Sequence, residues 1–231
     1  MCILYIRKPP VGIIAFAVFL AGAAIGYAGL MGVVSVDGGA ANSLGSATGS
    51  SPTFSFFTTL DGVQFLGGAT SNDPGTPSLA SLFDASVEIV NNSAFTRTLN
   101  FSFTDDTFIA PAGLVSASSH ASGTSLTGGV SLDSFMSLVN GNPINHPGLP
   151  IALSSNVSYS DLETETLSIA STPFTIGQDY TFTVAAGDSL NFANTLGLVP
   201  AVILGPVPEP GTIVIGLLCL GVGAAHRRRN S

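Results

Sequence analysis

Apolar and polar residues alternate with a period of two along much of the chain between residues 53 and 199. Leu99, Phe101 and Phe103 alternate with Thr98, Asn100, Ser102 and Thr104, and Tyr180, Phe182 and Val184 alternate with Thr181 and Thr183. Val157 and Tyr159 are flanked by Asn156, Ser158 and Ser160, and Leu190 and Phe192 enclose Asn191. Successive side chains on a strand point to opposite faces, so this pattern predicts strands that bury one face and solvate the other, as in antiparallel sheets. Thr and Phe suit strands, no comparable 3.6-residue pattern appears, and the one helix expected in the domain is a short one around Leu132–Val139.

Turn residues separate the alternating runs. Asp61-Gly62 lies between Thr53–Leu60 and Val63–Leu66 and is the strongest hairpin signal in the chain. Asn91-Asn92-Ser93 and Gly187-Asp188 punctuate later runs, as do Gly128-Gly129, Gly141 and Pro147-Gly148. Roughly eight to ten short strands joined in this way predict an all-β fold, an antiparallel β-sandwich of jelly-roll-like or Greek-key type. A β-helix is the alternative, but no repeat of fixed period occurs. The expected organisation is a signal peptide over 1–28, a Gly, Ala and Ser rich flexible lead-in over 29–52, and the β domain over 53–199. A linker over 200–206 and a tail over 207–231 complete the chain.

The two ends follow a different pattern. Arg7 and Lys8 precede an uncharged run of 15 residues, Val11 to Ile25, and Gly26-Tyr27-Ala28 offers the small-x-small pattern that signal peptidase accepts. Cleavage is expected after Ala28. At the other end, Val207-Pro208-Glu209-Pro210 leads into an uncharged run of 15 residues from Gly211 to Ala225, followed by His226, Arg227, Arg228 and Arg229. The prolines remove backbone donors and keep the tetrapeptide extended before Gly211. As a helix the run rises about 22 Å, short of the ~30 Å hydrocarbon core, a gap that snorkelling arginines or local thinning would close. Three adjacent arginines would hold that end in the cytoplasm and leave the rest of the protein outside.

Charge sharpens this division. Of 231 residues only 9% are charged, with 6 Lys+Arg against 14 Asp+Glu. From residue 29 to 208 there are thirteen carboxylates and one cation, Arg97, a net charge of −12. A nucleic-acid binder needs clustered Lys and Arg to displace counterions, so that class is excluded. Cys2 and Cys219 both lie in the terminal segments, which excludes a disulfide framework, a cysteine zinc site and thiol catalysis in the β domain.

Few residues there are suited to chemistry. Two histidines remain, His120 and His146, both expected on solvated loops, and serines are so common that their presence near His120 carries little information. No Gly-x-Ser-x-Gly elbow occurs. Asp161, Glu163 and Glu165 alternate, which reads as the solvated face of a strand rather than a glycosidase pair. The chain has no Trp, and Tyr159 and Tyr180 sit in core-facing positions, so aromatic sugar platforms are scarce. No cofactor is expected; calcium is the most reasonable ligand, with Asp105 and Asp106 as its contacts at a strand-to-loop transition, but no Asp-x-Asp-x-Asp loop is present and a solvated acidic turn is the weightier reading. The expectation is a non-catalytic domain, with a polysaccharide- or calcium-binding module as the alternative and an extracellular hydrolase behind it.

The tail itself resembles a known family. Val207-Pro208-Glu209-Pro210, the apolar run and the terminal arginines, with a signal peptide at the opposite end, are similar to the PEP-CTERM sorting signal of bacteria. Gly211 departs from the Ala, Ser or Thr more usual there. The resemblance implies recognition by an exosortase at Pro208, Glu209 and Pro210, and membrane retention by Arg227, Arg228 and Arg229. It further implies passage through the inner membrane, cleavage near the motif and delivery to the cell surface or exopolysaccharide matrix.

Overall fold

A computed structural model describes residues 29–201, excepting the side chains of residues 83–86. Thirteen strands and no helix occur among the described residues. They are β1 (Leu30–Val36), β2 (Asn42–Ala47), β3 (Thr53–Leu60), β4 (Val63–Ser71), β5 (Ala80–Asn91), β6 (Arg97–Phe108) and β7 (Gly113–Ser125). The chain continues through β8 (Val130–Val139), β9 (Asn142–Asn145), β10 (Ile151–Leu153), β11 (Val157–Ile169), β12 (Phe174–Val184) and β13 (Ser189–Pro200).

All pairings are antiparallel and form two sheets. The seven-stranded sheet runs β10-β8-β12-β6-β1-β2 with β9 also on β8, and the six-stranded sheet runs β11-β7-β13-β5-β4-β3. The inward residues follow the period-two pattern: Leu99, Phe101 and Phe103 on β6, and Tyr180, Phe182 and Val184 on β12, are buried. Rings from both sheets meet between them. Tyr180 lies 5.0 Å from Phe101 within its own sheet and 4.9 Å from Phe192 of the other, and Phe65 meets Phe101 edge-on at 5.5 Å. Ring pairs at these separations add to the stability that burial alone supplies. Asp61 and Gly62 both adopt positive φ, +51° and +81°, as the two-residue hairpin between β3 and β4 requires.

Two expectations are corrected. Residues 29–52 are not a flexible lead-in, because β1 and β2 lie within them and β1 pairs with both β2 and β6. The glycines there make room for aromatic rings: a Cβ on Gly32 would lie 2.8 Å from both Phe103 and Phe54, and one on Gly45 would lie 2.6 Å from Phe54. Small residues mark close approach here, not chain freedom. The sheets therefore span Leu30 to Pro200 rather than beginning at Thr53.

The helix expected around Leu132–Val139 is strand β8. Its buried apolar positions are Val130, Leu132, Phe135 and Val139. Register against β12 shifts between Thr181 and Phe182, where Ser134 and Leu132 are the respective partners. That bulge inserts Asp133 into the alternation, so the inward residues fall three apart and mimic a helical spacing.

Candidate functional site

The inner face of β7 presents Val115, Ala117, Ser119 and Ala121, all fully buried. Ser137 on β8 faces it from the other sheet and is also fully buried. His146, immediately after β9, enters the space between them. Its Nε2 is 2.8 Å from Ser119 Oγ and its Nδ1 is 2.7 Å from Asp161 Oδ2 on β11. Ser119 Oγ lies 2.7 Å from Ser137 Oγ. With Nδ1–H donating to the Asp161 carboxylate, Nε2 accepts a hydrogen bond from the Ser119 hydroxyl and Ser119 accepts one from Ser137, so these four side chains are all partnered. The imidazole also packs on Phe135, 4.5 Å between centroids.

These are the hydrogen bonds of a serine nucleophile, its base and the carboxylate that orients the base. Two further requirements of acyl transfer are missing among the described residues. Ser119 has no exposure, and the His146 side chain is 0% exposed while that of Asp161 is 28% exposed. Ser119 also stands in mid-strand, paired with Glu163 of β11 on one side and Leu196 of β13 on the other. Its neighbours' amides are therefore committed to the ladders and cannot form an oxyanion hole. The arrangement links the two sheets through polar contacts.

The sequence reading missed this cluster and misplaced two of its members. His146 was expected on a solvated loop, but it is buried. Asp161 and Glu163 were expected on a solvated face; they share the core-facing side of β11 with Tyr159, Leu167 and buried Ile169, half-buried at the edge of the sandwich, while Glu165 on that side is exposed. The alternation with Tyr159 was the available signal. Burial, then the Asp161 charge, pushes the Tyr159 hydroxyl well above its ordinary range. His120 goes to the opposite face, its Nε2 3.0 Å from Ser160 Oγ.

Asp105 and Asp106 are adjacent on β6 and consequently point to opposite faces. Asp105 is fully buried, bonded to Ser71 Oγ and, at 3.1 Å, to Thr107 Oγ1. Burial raises its pKa; the Ser71 hydrogen bond opposes this and the nearby Asp73 charge adds to it. Asp106 is exposed, and its Oδ1 accepts the Gly29 N–H at 2.9 Å. The structure thus separates the two carboxylates proposed as joint calcium contacts. Among the described residues, no group of three or more His, Cys, Asp or Glu is arranged to hold a metal.

Other buried polar groups lie between the sheets. Gln178 and Asn194 are 0% and 1% exposed, and neither amide has a hydrogen-bond partner. On the outer face of β12, burial raises the pKa of Asp179, partly offset by a Ser102 hydrogen bond. The outer face of β7 and β11 is a hydroxyl array, with Thr124 and Ser158 joined at 3.0 Å. It holds a shallow depression of about 340 Å³ bordered by Ser122, Thr124, Ser158 and Asn191. Ala28, Val207, Pro208, Glu209, Pro210, Arg227, Arg228 and Arg229 lie outside the described residues, as do the expected signal and membrane helices.

Residues 206–230 match the family model of the PEP-CTERM protein-sorting motif. No curated protein matches the chain. Among solved structures, TmCBM61 in complex with beta-1,4-galactotriose is similar at 9% identity and a TM-score of 0.31, over 57% of this chain and 86% of that one. The infectious bursal disease virus Gx strain structure is similar at 9% identity and a TM-score of 0.29, over 75% of this chain and 36% of that one. The GH31 alpha-xylosidase of Xanthomonas citri follows at 8% identity and a TM-score of 0.19, over 68% of this chain and 28% of that one.

Proposed function

We propose that this chain is an exported, non-catalytic β-sandwich protein that an exosortase delivers through its tail to the cell surface or exopolysaccharide matrix. The single observation that carries the reading is the sorting motif at residues 206–230. Signal peptidase would act at the N-terminal end, and the inner membrane would hold the chain through the apolar run and Arg227, Arg228 and Arg229 until the tail is cut. The two-sheet body suits such a destination, since a single core of this size needs no disulfide staples. We read its topology as jelly-roll-like or Greek-key, because the chain changes sheets on passing from β5 to β6, β6 to β7 and β7 to β8.

Substitution of Pro208, Glu209 and Pro210 by Ala tests the reading by cell fractionation. The wild-type protein is expected in the surface or extracellular fraction, and the variant is expected to stay at the membrane with its tail attached. Full-length, unprocessed wild-type protein in the cytosol overturns it. A second reading, a polysaccharide-binding module, is favoured by the hydroxyl array on β7 and β11. Retention on an acidic or neutral exopolysaccharide column, lost on substituting Ser158 and Thr124 by Val, would support it. The calcium form of that reading requires a higher unfolding midpoint at millimolar calcium.

A further inference from the structure

Gly29 immediately precedes β1, and its surroundings restrict it closely. Its N–H donates to Asp106 Oδ1 at 2.9 Å. A Cβ there would lie 2.5 Å from the Ala47 carbonyl oxygen, so the position takes only glycine. The next residue, Leu30, is buried at 1% exposure and opens β1. Cleavage anywhere within 30–36 would cut into a strand paired on both sides. The small-x-small pattern Gly26-Tyr27-Ala28 ends at the bond just before this anchor.

We propose that hydrolysis of the Ala28–Gly29 bond creates an α-amino group that the fold captures on the Asp106 carboxylate. Water supplies the hydroxyl to the Ala28 carbonyl and the proton to the departing Gly29 nitrogen, leaving a carboxylate on one product and an ammonium on the other. The amide-to-carboxylate hydrogen bond then becomes an ammonium-to-carboxylate pair, a stronger, charge-assisted contact. Asp106 faces little competition for that charge. β1 and β2 carry no titratable side chain. On β12, Asp179 and Tyr180 register with Ser102 and Phe101, well along β6 from Asp106. Asp105 turns to the opposite face beside Asp73. The inference rests on the export reading, because only an exported chain meets signal peptidase.

The sequence makes the test clean, since Lys8 is its only lysine and the new α-amine is then the only primary amine in the mature protein. N-terminal sequencing of the exported protein should begin at Gly29. Acylation by an N-hydroxysuccinimide ester should be about threefold slower at pH 7 in wild type than in Asp106→Asn, the effect of an amine pKa raised by about half a unit. The difference should close above about pH 9, once the amine is neutral in both. An exported chain that begins elsewhere, or equal acylation rates across that range, overturns the inference and leaves export standing. An unexported precursor overturns the export reading instead.

Discussion

Replacing His146 by Leu is expected to destabilise the protein by about 2.5–4 kcal/mol, because it breaks the contact chain between the sheets. Two hydrogen bonds disappear, at 2.8 Å to Ser119 and 2.7 Å to Asp161. A neutral bond contributes about 1 kcal/mol net and one to a carboxylate about 1.5–3 kcal/mol. Two features limit the loss. Ser119 keeps Ser137 as a partner at 2.7 Å, and the Asp161 side chain, 28% exposed, retains contact with water. Leucine fills much of the imidazole space against Phe135, so the cavity contribution is small. For a domain of this size the midpoint should fall by about 5–16 °C in thermal unfolding. A double-mutant cycle with Ser119→Ala should show coupling of about 0.5–3 kcal/mol. A loss below about 1 kcal/mol refutes the polar link between the sheets, and labelling of Ser119 in the folded protein by a fluorophosphonate refutes its burial and supports a hydrolase.

Four further expectations follow from the geometry. Gly32→Ala forces a methyl to within 2.8 Å of two phenylalanine rings and should cost about 1–3 kcal/mol by denaturant unfolding; an unchanged midpoint would mean β1 does not pack as described. Asp105 has its folded-state pKa raised by burial, so the native state holds its proton where the unfolded chain releases it; stability should fall as pH rises from below the ordinary Asp value of 3.8 through the raised one, and in an acid-to-neutral series of denaturant titrations Asp105→Asn should reduce that slope, leaving the part that Asp179 contributes. Asp37 is the opposite case, lowered chiefly by the Thr98 backbone hydrogen bond and next by Arg97, so its contribution is present above 3.8 and lost as pH falls through the lowered value. The Arg97–Asp37 pair is partly exposed, and Arg97→Gln should change stability by less than about 1 kcal/mol at moderate salt.

Period-two alternation made β6, β12 and β13 legible, because each buries one face with large side chains and solvates the other with Thr, Ser and Asn. It failed where packing replaced side-chain size as the determinant. β1 and β2 look like a linker because Gly32 and Gly45 yield their space to Phe54 and Phe103, whose positions are known only from the fold. β8 looks helical because a bulge at Asp133 resets its phase, and a bulge depends on the partner strand β12. The Ser119–His146–Asp161 cluster joins three elements far apart in sequence, so no local motif could announce it. The inward position of Asp161 was nonetheless readable from Tyr159, two residues earlier on the same face.

The sorting motif, by contrast, was legible in the sequence, since its residues lie in order within the 25 matched by the family model, 206–230, and need no tertiary context. Its fate is the central claim. The most direct test is the intact mass of the protein recovered from the surface of cells with and without their exosortase. The account predicts a product truncated near Pro208-Glu209-Pro210 in the first case and a chain that keeps its apolar run and arginines in the second. An identical, uncut C-terminus in both would contradict it.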